Sequence, residues 1–336
     1  MIVNETDEVA ADLHPAPREP VRDWPRRKAA GRSVNPRFLH VVIAFAAVYL
    51  IWGSTFLGIR VAIETIPPLL MAGVRWIVAG SLFYAVLRWR GAPRPALREW
   101  GIAAIIGGGI ILGGNGSVTY AEQFIPSGTV AIIVALVPAM MALLGWLSGS
   151  TRRPRLAVWL GIGIATAGVA VIVRPAGVGF SGGQIWVIGV LLVGELLWSA
   201  ASLFAVRAGS QTSGFLIAAM QMLCGGALML AIAFARGEFA QFHLTAVSAR
   251  SLYAIGYLAT VGSIIGFSAY LWLLRNVEST RVATYAFVNP VVAVFLGSVF
   301  AGERLAPELL AGSALVVVGI ALIVIFRSNS LTRVKT

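Results

Sequence analysis

Residues 127–148 read SGTVAIIVALVPAMMALLGWLS, a stretch with no charged side chain. At 1.5 Å per residue such a helix is about 33 Å long, enough to cross a hydrocarbon core of about 30 Å. Its landmarks return later in the chain. Ser127 and Ser279, Pro138 and Pro290, and Gly145 and Gly297 are each 152 residues apart. A membrane-spanning helix that recurs in register points to a duplicated membrane protein.

The register extends outward from this stretch. Trp52 and Trp198 lie 146 apart, and at that offset Arg75 meets Gln221 and Ala72-Gly73 meets Ala218-Ala219. Gly161 pairs with Gly312 and Gly168 with Gly319 at 151. Chance matches do not hold register over so long a distance. A window of about 20 apolar residues gives ten spans: 38–60, 68–88, 100–121, 127–148, 156–173, 183–206, 213–235, 251–274, 280–301 and 308–326. Turn formers such as Pro67-Pro68, Pro154, Pro175 and Ser181-Gly182-Gly183 separate them. The expected fold class is an all-α membrane protein with ten transmembrane helices. The expected division is an N-terminal cytoplasmic segment 1–37, repeats 38–175 and 176–326, and a tail 327–336.

Composition agrees. Hydrophobic residues make up 58% of the chain, charged residues 12%, and mean hydropathy is +0.85; soluble domains carry about twice that charged fraction. The net charge of +12 need not mean nucleic acid. With the N-terminus placed inside, 20 Lys and Arg residues fall on the cytoplasmic side and 5 outside, Arg75 lying within a span. This is the positive-inside pattern, and it puts both termini in the cytoplasm. Residues 1–37 mix six acids, seven bases and five prolines, the composition of a disordered segment. No signal peptide is expected, because the first apolar run begins too late and is too long. Five spans per repeat make the second repeat enter from the opposite face. That gives a 5+5 inverted repeat, an arrangement of secondary transporters with a midplane site between the halves.

Several ordered motifs carry a family resemblance. They are Ile51-Trp52-Gly53-Ser54-Thr55-Phe56, Ala72-Gly73-Val74-Arg75, Gly114-Asn115-Gly116 with Tyr120-Ala121-Glu122, and Pro126-Ser127-Gly128. In the second half they are Tyr285-Ala286-Phe287-Val288-Asn289-Pro290 and Gly302-Glu303. Over roughly residues 40–326 the chain resembles the ten-span EamA-type members of the drug/metabolite transporter superfamily, among them the YedA-like exporters. The resemblance implies an inner-membrane, multi-pass exporter of small metabolites, amino acids or drug-like amphipathic compounds. It also implies alternating access to a cavity lined by spans 1, 3, 4, 6, 8 and 9. Such relatives usually carry a glutamate after both the fourth and ninth spans. Here Glu303 is present but Thr151 stands at the first position, so no symmetric role is assigned.

The candidate transport residues are few. Glu195 is the only acid deep inside an expected span. A charge at the bilayer centre costs at least about 2.5–3.5 kcal/mol on insertion scales and is functional by default. Removal from water disfavours a charged carboxylate, which suits a proton-coupling residue; the alternative is a structural carboxyl. Arg75 is read either as a partner for Glu195 or a substrate carboxylate, or as an interfacial arginine. Trp52 and Trp198 are read as pocket walls or packing. Ser54, Thr55, Ser199 and Ser202 beside them are read as hydrogen-bonding groups or as residues bonded back to their own helices. Asn115, in Gly113-Gly114-Asn115-Gly116, is a polar contact or interhelical glue. Tyr285 and Asn289 share one helix face, and Pro138 and Pro290 are expected helix kinks. Gly161 with Gly168, and Gly312 with Gly319, form small-residue faces for tight contact within a monomer or across a homodimer.

Other classes lack their chemistry. There is no Walker sequence and no His-Glu-x-x-His. Cys224 is the only cysteine, and His14, His40 and His243 have no metal-ligand spacing. No cofactor, no metal and no enzymatic role are expected, and the partners are a small-molecule substrate and the bilayer. A nucleotide-sugar or other metabolite facilitator of the same superfamily is the alternative, and a membrane-embedded enzyme or sensor is a remoter one.

Overall fold

The computed structural model describes residues 36–149, 153–173, 182–277, 282 and 284–327. Residues 1–35, Thr151, the connection 174–181, Ser279 and the tail 328–336 enter the expectations above and lie outside the described residues.

Among the described residues the fold is built from ten long helices with no strand. They are α1 (Pro36–Ala62), α2 (Pro68–Trp89), α3 (Leu97–Ala121), α4 (Ser127–Leu147) and α5 (Leu156–Val173). The second set is α6 (Gly182–Arg207), α7 (Gly214–Ala235), α8 (Ala249–Tyr257, Leu258–Ile265 and Gly266–Asn276 in succession), α9 (Tyr285–Ala301) and α10 (Pro307–Arg327). Eight helices are long and apolar enough to cross a membrane, and two shorter apolar helices, Leu156–Ile172 and Tyr285–Ala301, accompany them.

The helix boundaries follow local chemistry. Pro68 opens α2, where its missing N–H is no loss. The hydroxyls of Ser213 and Ser248 accept from the Leu216 and Ser251 amides to cap α7 and α8. Large apolar side chains such as Ile43, Leu82, Ile105, Leu160, Phe295 and Val318 are exposed on the bundle exterior. An apolar exterior of this extent suits lipid and not water.

The contacts repeat the duplication. Extensive helix contacts join α5 to α10 and α2 to α7, the mates at the same place in each half. Also, α1 packs on α8 and α9 as α6 packs on α3 and α4. The mated helices run antiparallel. A Cβ added to Gly161 would lie 2.6 Å from the Gly319 carbonyl oxygen, and one on Gly168 2.7 Å from that of Gly312. Along α2 and α7, Gly73 faces Leu230 and Gly80 faces Leu223. Antiparallel mates are what inversion of one half against the other requires. The α5–α10 glycines therefore serve contact inside one chain.

Two departures from regular helix sit at corresponding places. Gly108–Asn115 of α3 and Leu258–Ile265 of α8 are π-helical, 150 residues apart. Such stretches recur at functional sites because they break the regular side-chain register. The prolines behave differently from each other. Helix α4 is interrupted at Ala135–Leu136, between Ser127–Val134 and Val137–Leu147, because Pro138 has no N–H to offer the preceding turn. Helix α9 runs through Pro290 as one element.

Candidate functional site

The π stretches and the α4 break lie at mid-bundle, and there the helices part. The resulting cavity gives a water-sized sphere about 120 Å³ in which its centre can move, well above the ~10–15 Å³ that one water needs. Trp52, Thr55 and Phe56 of α1, Arg75 and Trp76 of α2, and Gly114 and Asn115 of α3 line it. Opposite them stand Pro138 of α4, Glu195 and Trp198 of α6, Gly262 and Phe267 of α8, and Tyr285, Asn289 and Pro290 of α9. Of the sequence candidates Ser199 and Ser202 are absent from the lining, and so is Ser54. Its hydroxyl bonds to the Ile51 carbonyl at 2.9 Å and the Tyr257 hydroxyl at 2.5 Å, on the face of α1 turned to α8. Helix α2 joins the wall through Arg75 and Trp76, in addition to the six helices expected.

Each tryptophan is seated on a glycine of the opposite half. A Cβ on Gly266 would lie 2.6 Å from Trp52 Nε1, and one on Gly114 would strike the Trp198 ring. Trp52 is also boxed by Tyr270, Tyr285 and Phe267, with ring centroids 5.1, 5.2 and 5.5 Å away. Edge-to-face and tilted arrangements at these distances are the favourable ones for aromatic pairs, so the rings support one another in this wall.

The small hydroxyls turn back on their own helices. Thr55 donates to the Trp52 carbonyl at 2.6 Å, Ser199 to Glu195 at 2.8 Å and Ser202 to Trp198 at 2.7 Å. Asn115 donates to the Ile110 carbonyl at 3.4 Å, a five-residue reach that π geometry permits. Buried Arg75 lies over the Trp76 ring, 4.5 Å from its centroid, and its Nε donates to Ser263 Oγ at 3.3 Å. Among the described residues Arg75 and Glu195 form no ion pair; Glu195 instead lies close enough to Tyr285 to act on it electrostatically.

Two buried cavity atoms have no hydrogen-bond partner, the donor Trp76 Nε1 and the acceptor Asn289 Oδ1. Buried polar atoms are almost always paired, so this unpaired donor and acceptor stand out among the lining residues. No group of three or more metal-binding side chains occurs among the described residues.

A transporter-family model matches this chain twice, at residues 39–174 and 184–325. The chain belongs to the EamA-like transporter family. It is 41% identical to the uncharacterized inner membrane transporter YedA of Escherichia coli over 78% of this chain and 83% of YedA. It is 29% identical to the uncharacterized transporter YvbV of Bacillus subtilis, over 84% of this chain and 90% of YvbV. At 26% identity it matches a probable amino-acid metabolite efflux pump of Salmonella typhimurium, over 86% of this chain and 96% of that protein. A solved crystal structure with 19% identity superposes at a TM-score of 0.61, covering 85% of this chain and 97% of its own, and so shares the fold. This EamA-family member is a multi-pass protein of the inner membrane.

Three residues escaped the sequence reading. Trp76 adjoins Arg75, and nothing in the pattern gave it a separate signal. Glu122 stands one residue past the expected third span, yet it is fully buried. Glu303, given no role from sequence, spans the two halves. Its Oε1 accepts from the Ser127 amide and hydroxyl, both at 2.7 Å, and its Oε2 from the Gly128 amide at 3.1 Å.

Proposed function

We propose that this EamA-family chain is a secondary active exporter of small amphipathic solutes, amino acids among them, working by alternating access. The observation that carries the reading is convergence. Trp52, Arg75, Asn115, Glu195, Trp198, Tyr285 and Asn289, drawn from five helices across both halves, line a single mid-bundle cavity. The antiparallel mating of α5 with α10 and α2 with α7 supports repeats 38–175 and 176–326 as an inverted pair. In this reading the two shorter helices complete ten spans. Both termini lie in the cytoplasm, and the end of the bundle that carries Arg60 faces outward.

The chemistry suits an amphipathic solute. Rings from α1, α8 and α9 take its apolar part. Arg75 holds a carboxylate, and Trp76 Nε1 and Asn289 Oδ1 take polar groups. Glu195, at the middle of α6 and buried in this wall, receives an amino group or a proton. Emptying and filling that carboxyl on alternate faces exchanges protons for solute. The relative named as an amino-acid metabolite efflux pump supports the solute class.

The test uses protein in liposomes loaded with a pH-sensitive dye, with amino acids and cationic drugs added singly. A substrate-dependent change of internal pH in the wild type, absent in Glu195→Gln, is the expected result. Labelled solute entering with no pH change makes the chain a facilitator. A normal pH response in Glu195→Gln removes that residue from coupling.

A further inference from the structure

Glu122 closes α3 at the Arg60 end of the bundle, one residue beyond the span Leu97–Ala121. It is fully buried, and neither carboxylate oxygen has a hydrogen-bond partner. Among the described residues it makes no ion pair.

The charged groups around it are engaged elsewhere. Arg60 of α1 donates to the backbone carbonyl of Glu122 and not to its carboxylate. Arg75 of α2 is turned to Ser263 and stacked on Trp76. Glu303, from the α9–α10 connection, is bound to Ser127 and Gly128. Helix α6, packed on the last turn of α3, brings Glu195 at mid-bundle and Arg207 at the far end. Helix α4 carries no charged residue, and the Thr129 hydroxyl on it is also buried without a partner.

An ionised carboxylate here would be an unpaired buried charge next to a second acid, and such groups neutralise by taking a proton. Burial, and then the Glu303 carboxylate, raise the pKa of Glu122 well above the ordinary carboxylate range; Arg60 and Arg75 pull the other way.

We propose that Glu122 is a proton-binding site at the Arg60 end of the bundle, distinct from Glu195, and that it holds a proton while this end is closed. Opening the end to water ionises it, the proton passing to solvent. Among the described residues its repeat mate is not an acid. At the 150-residue offset of the π stretches its mate is Trp272. A proton site confined to one end makes the two openings chemically different.

Infrared spectroscopy of the full chain in liposomes at neutral pH tests this through the C=O stretch of protonated carboxylic acids. The wild type should show the band. Glu122→Gln, which is isosteric with the protonated acid, should lose part of it, and Glu195→Gln should retain part of it. A Glu122→Gln spectrum identical to the wild type overturns the proposal. So does a Glu195→Gln protein with no band left, a result that requires no change at residue 122. Absence of the band from the wild type overturns it outright. None of these results depends on knowing the solute, and loss of the Glu122 site leaves the reading of the central cavity standing.

Discussion

Replacing Glu303 by alanine should loosen the seam between the halves at the Arg60 end. Gly302, at φ +65°, reverses the chain after α9, and the Glu303 amide then bonds back to the Gly297 carbonyl at 3.1 Å. The side chain is thereby set against the first turn of α4, where it takes the Ser127 amide and hydroxyl and the Gly128 amide. A hydrogen bond to a charged group contributes about 1.5–3 kcal/mol. Glu303 is half-buried, so water recovers part of each bond once the side chain is gone. Loss of an N-terminal cap costs about 0.5–2 kcal/mol and loss of the helix-dipole interaction about 0.3–1 kcal/mol. The net expectation for Glu303→Ala is about 2–4 kcal/mol. Glu303→Gln keeps one acceptor oxygen but turns an amide toward the Gly128 N–H, and should cost about half as much. At about 2 °C per kcal/mol for a chain of this size, the alanine variant should unfold about 4–8 °C lower. The assay is tryptophan fluorescence of detergent-solubilised protein at one fixed heating rate. A double-mutant cycle with Ser127→Ala should give a coupling of about 1 kcal/mol. A shift under about 1 °C, or strict additivity in the cycle, would refute the argument.

Four further outcomes follow from the same geometry. Gly161→Ala aims a methyl at the Gly319 carbonyl and should cost about 1–3 kcal/mol, whereas Gly163→Ala, which meets nothing within 4 Å, should leave the unfolding midpoint unchanged or raise it slightly. Gly302→Ala places a Cβ at positive φ and should cost about 1–2 kcal/mol, read in the same melt. Asn289→Leu removes a buried atom that has no partner, so stability should hold while solute flux falls at least about tenfold, the factor for one lost polar contact of about 1.4 kcal/mol; equal flux would take Asn289 out of the pathway. For Glu122 the raised native pKa means the folded state binds more protons than the unfolded chain. Stability should therefore fall as pH rises through the window above the ordinary carboxylate range, and in Glu122→Gln that part of the fall should vanish.

The helices were legible because bilayer thickness fixes their length and prolines and glycines punctuate them. The expected span 183–206 and the observed Gly182–Arg207, for example, differ by one residue at each end. Which face of each helix looks inward was much less legible. These helices are apolar on every side, so periodicity carries little information, and inward placement had to come from isolated polar residues and from the repeat. That served for Asn115, Glu195 and Asn289, whose polarity within apolar runs demanded an explanation. It failed for Ser54, because a hydroxyl can be satisfied by its own helix. It failed also for Glu122, where a residue just past a span looks water-facing until α1, α4 and the α9–α10 connection are seen to cover it. The Glu303 partners are 176 and 175 residues away in sequence, beyond the reach of any local pattern. The π stretches left only their glycines as a trace, and Leu258–Ile265 has just one.

The scaffold is symmetric but its chemistry is not. Helix contacts, antiparallel mates, π stretches and the Trp–Gly seats all occur twice. Among the described residues the acids and the arginine of the interior have no charged mate. Arg75 is mated with Gln221, Glu195 with Tyr49 at the same offset, and Glu122 with Trp272. In the proposed alternating-access cycle a symmetric pair of halves would give two conformations of similar energy, each the other turned over, so that packing alone would favour neither opening. A charge that exists in only one half breaks that balance, because water reaches it in one conformation and not in the other. On the proposed function, the free-energy difference between the openings would then depend on pH and on what occupies Arg75 and Glu195. Substituting these residues by their mates, Arg75→Gln above all, should leave the fold intact and make the two openings more nearly equal. Spin labels placed at the Arg60 and Arg207 ends would read this as distance distributions that converge. Distributions unchanged from the wild type would mean that packing, and not charge, sets the preference.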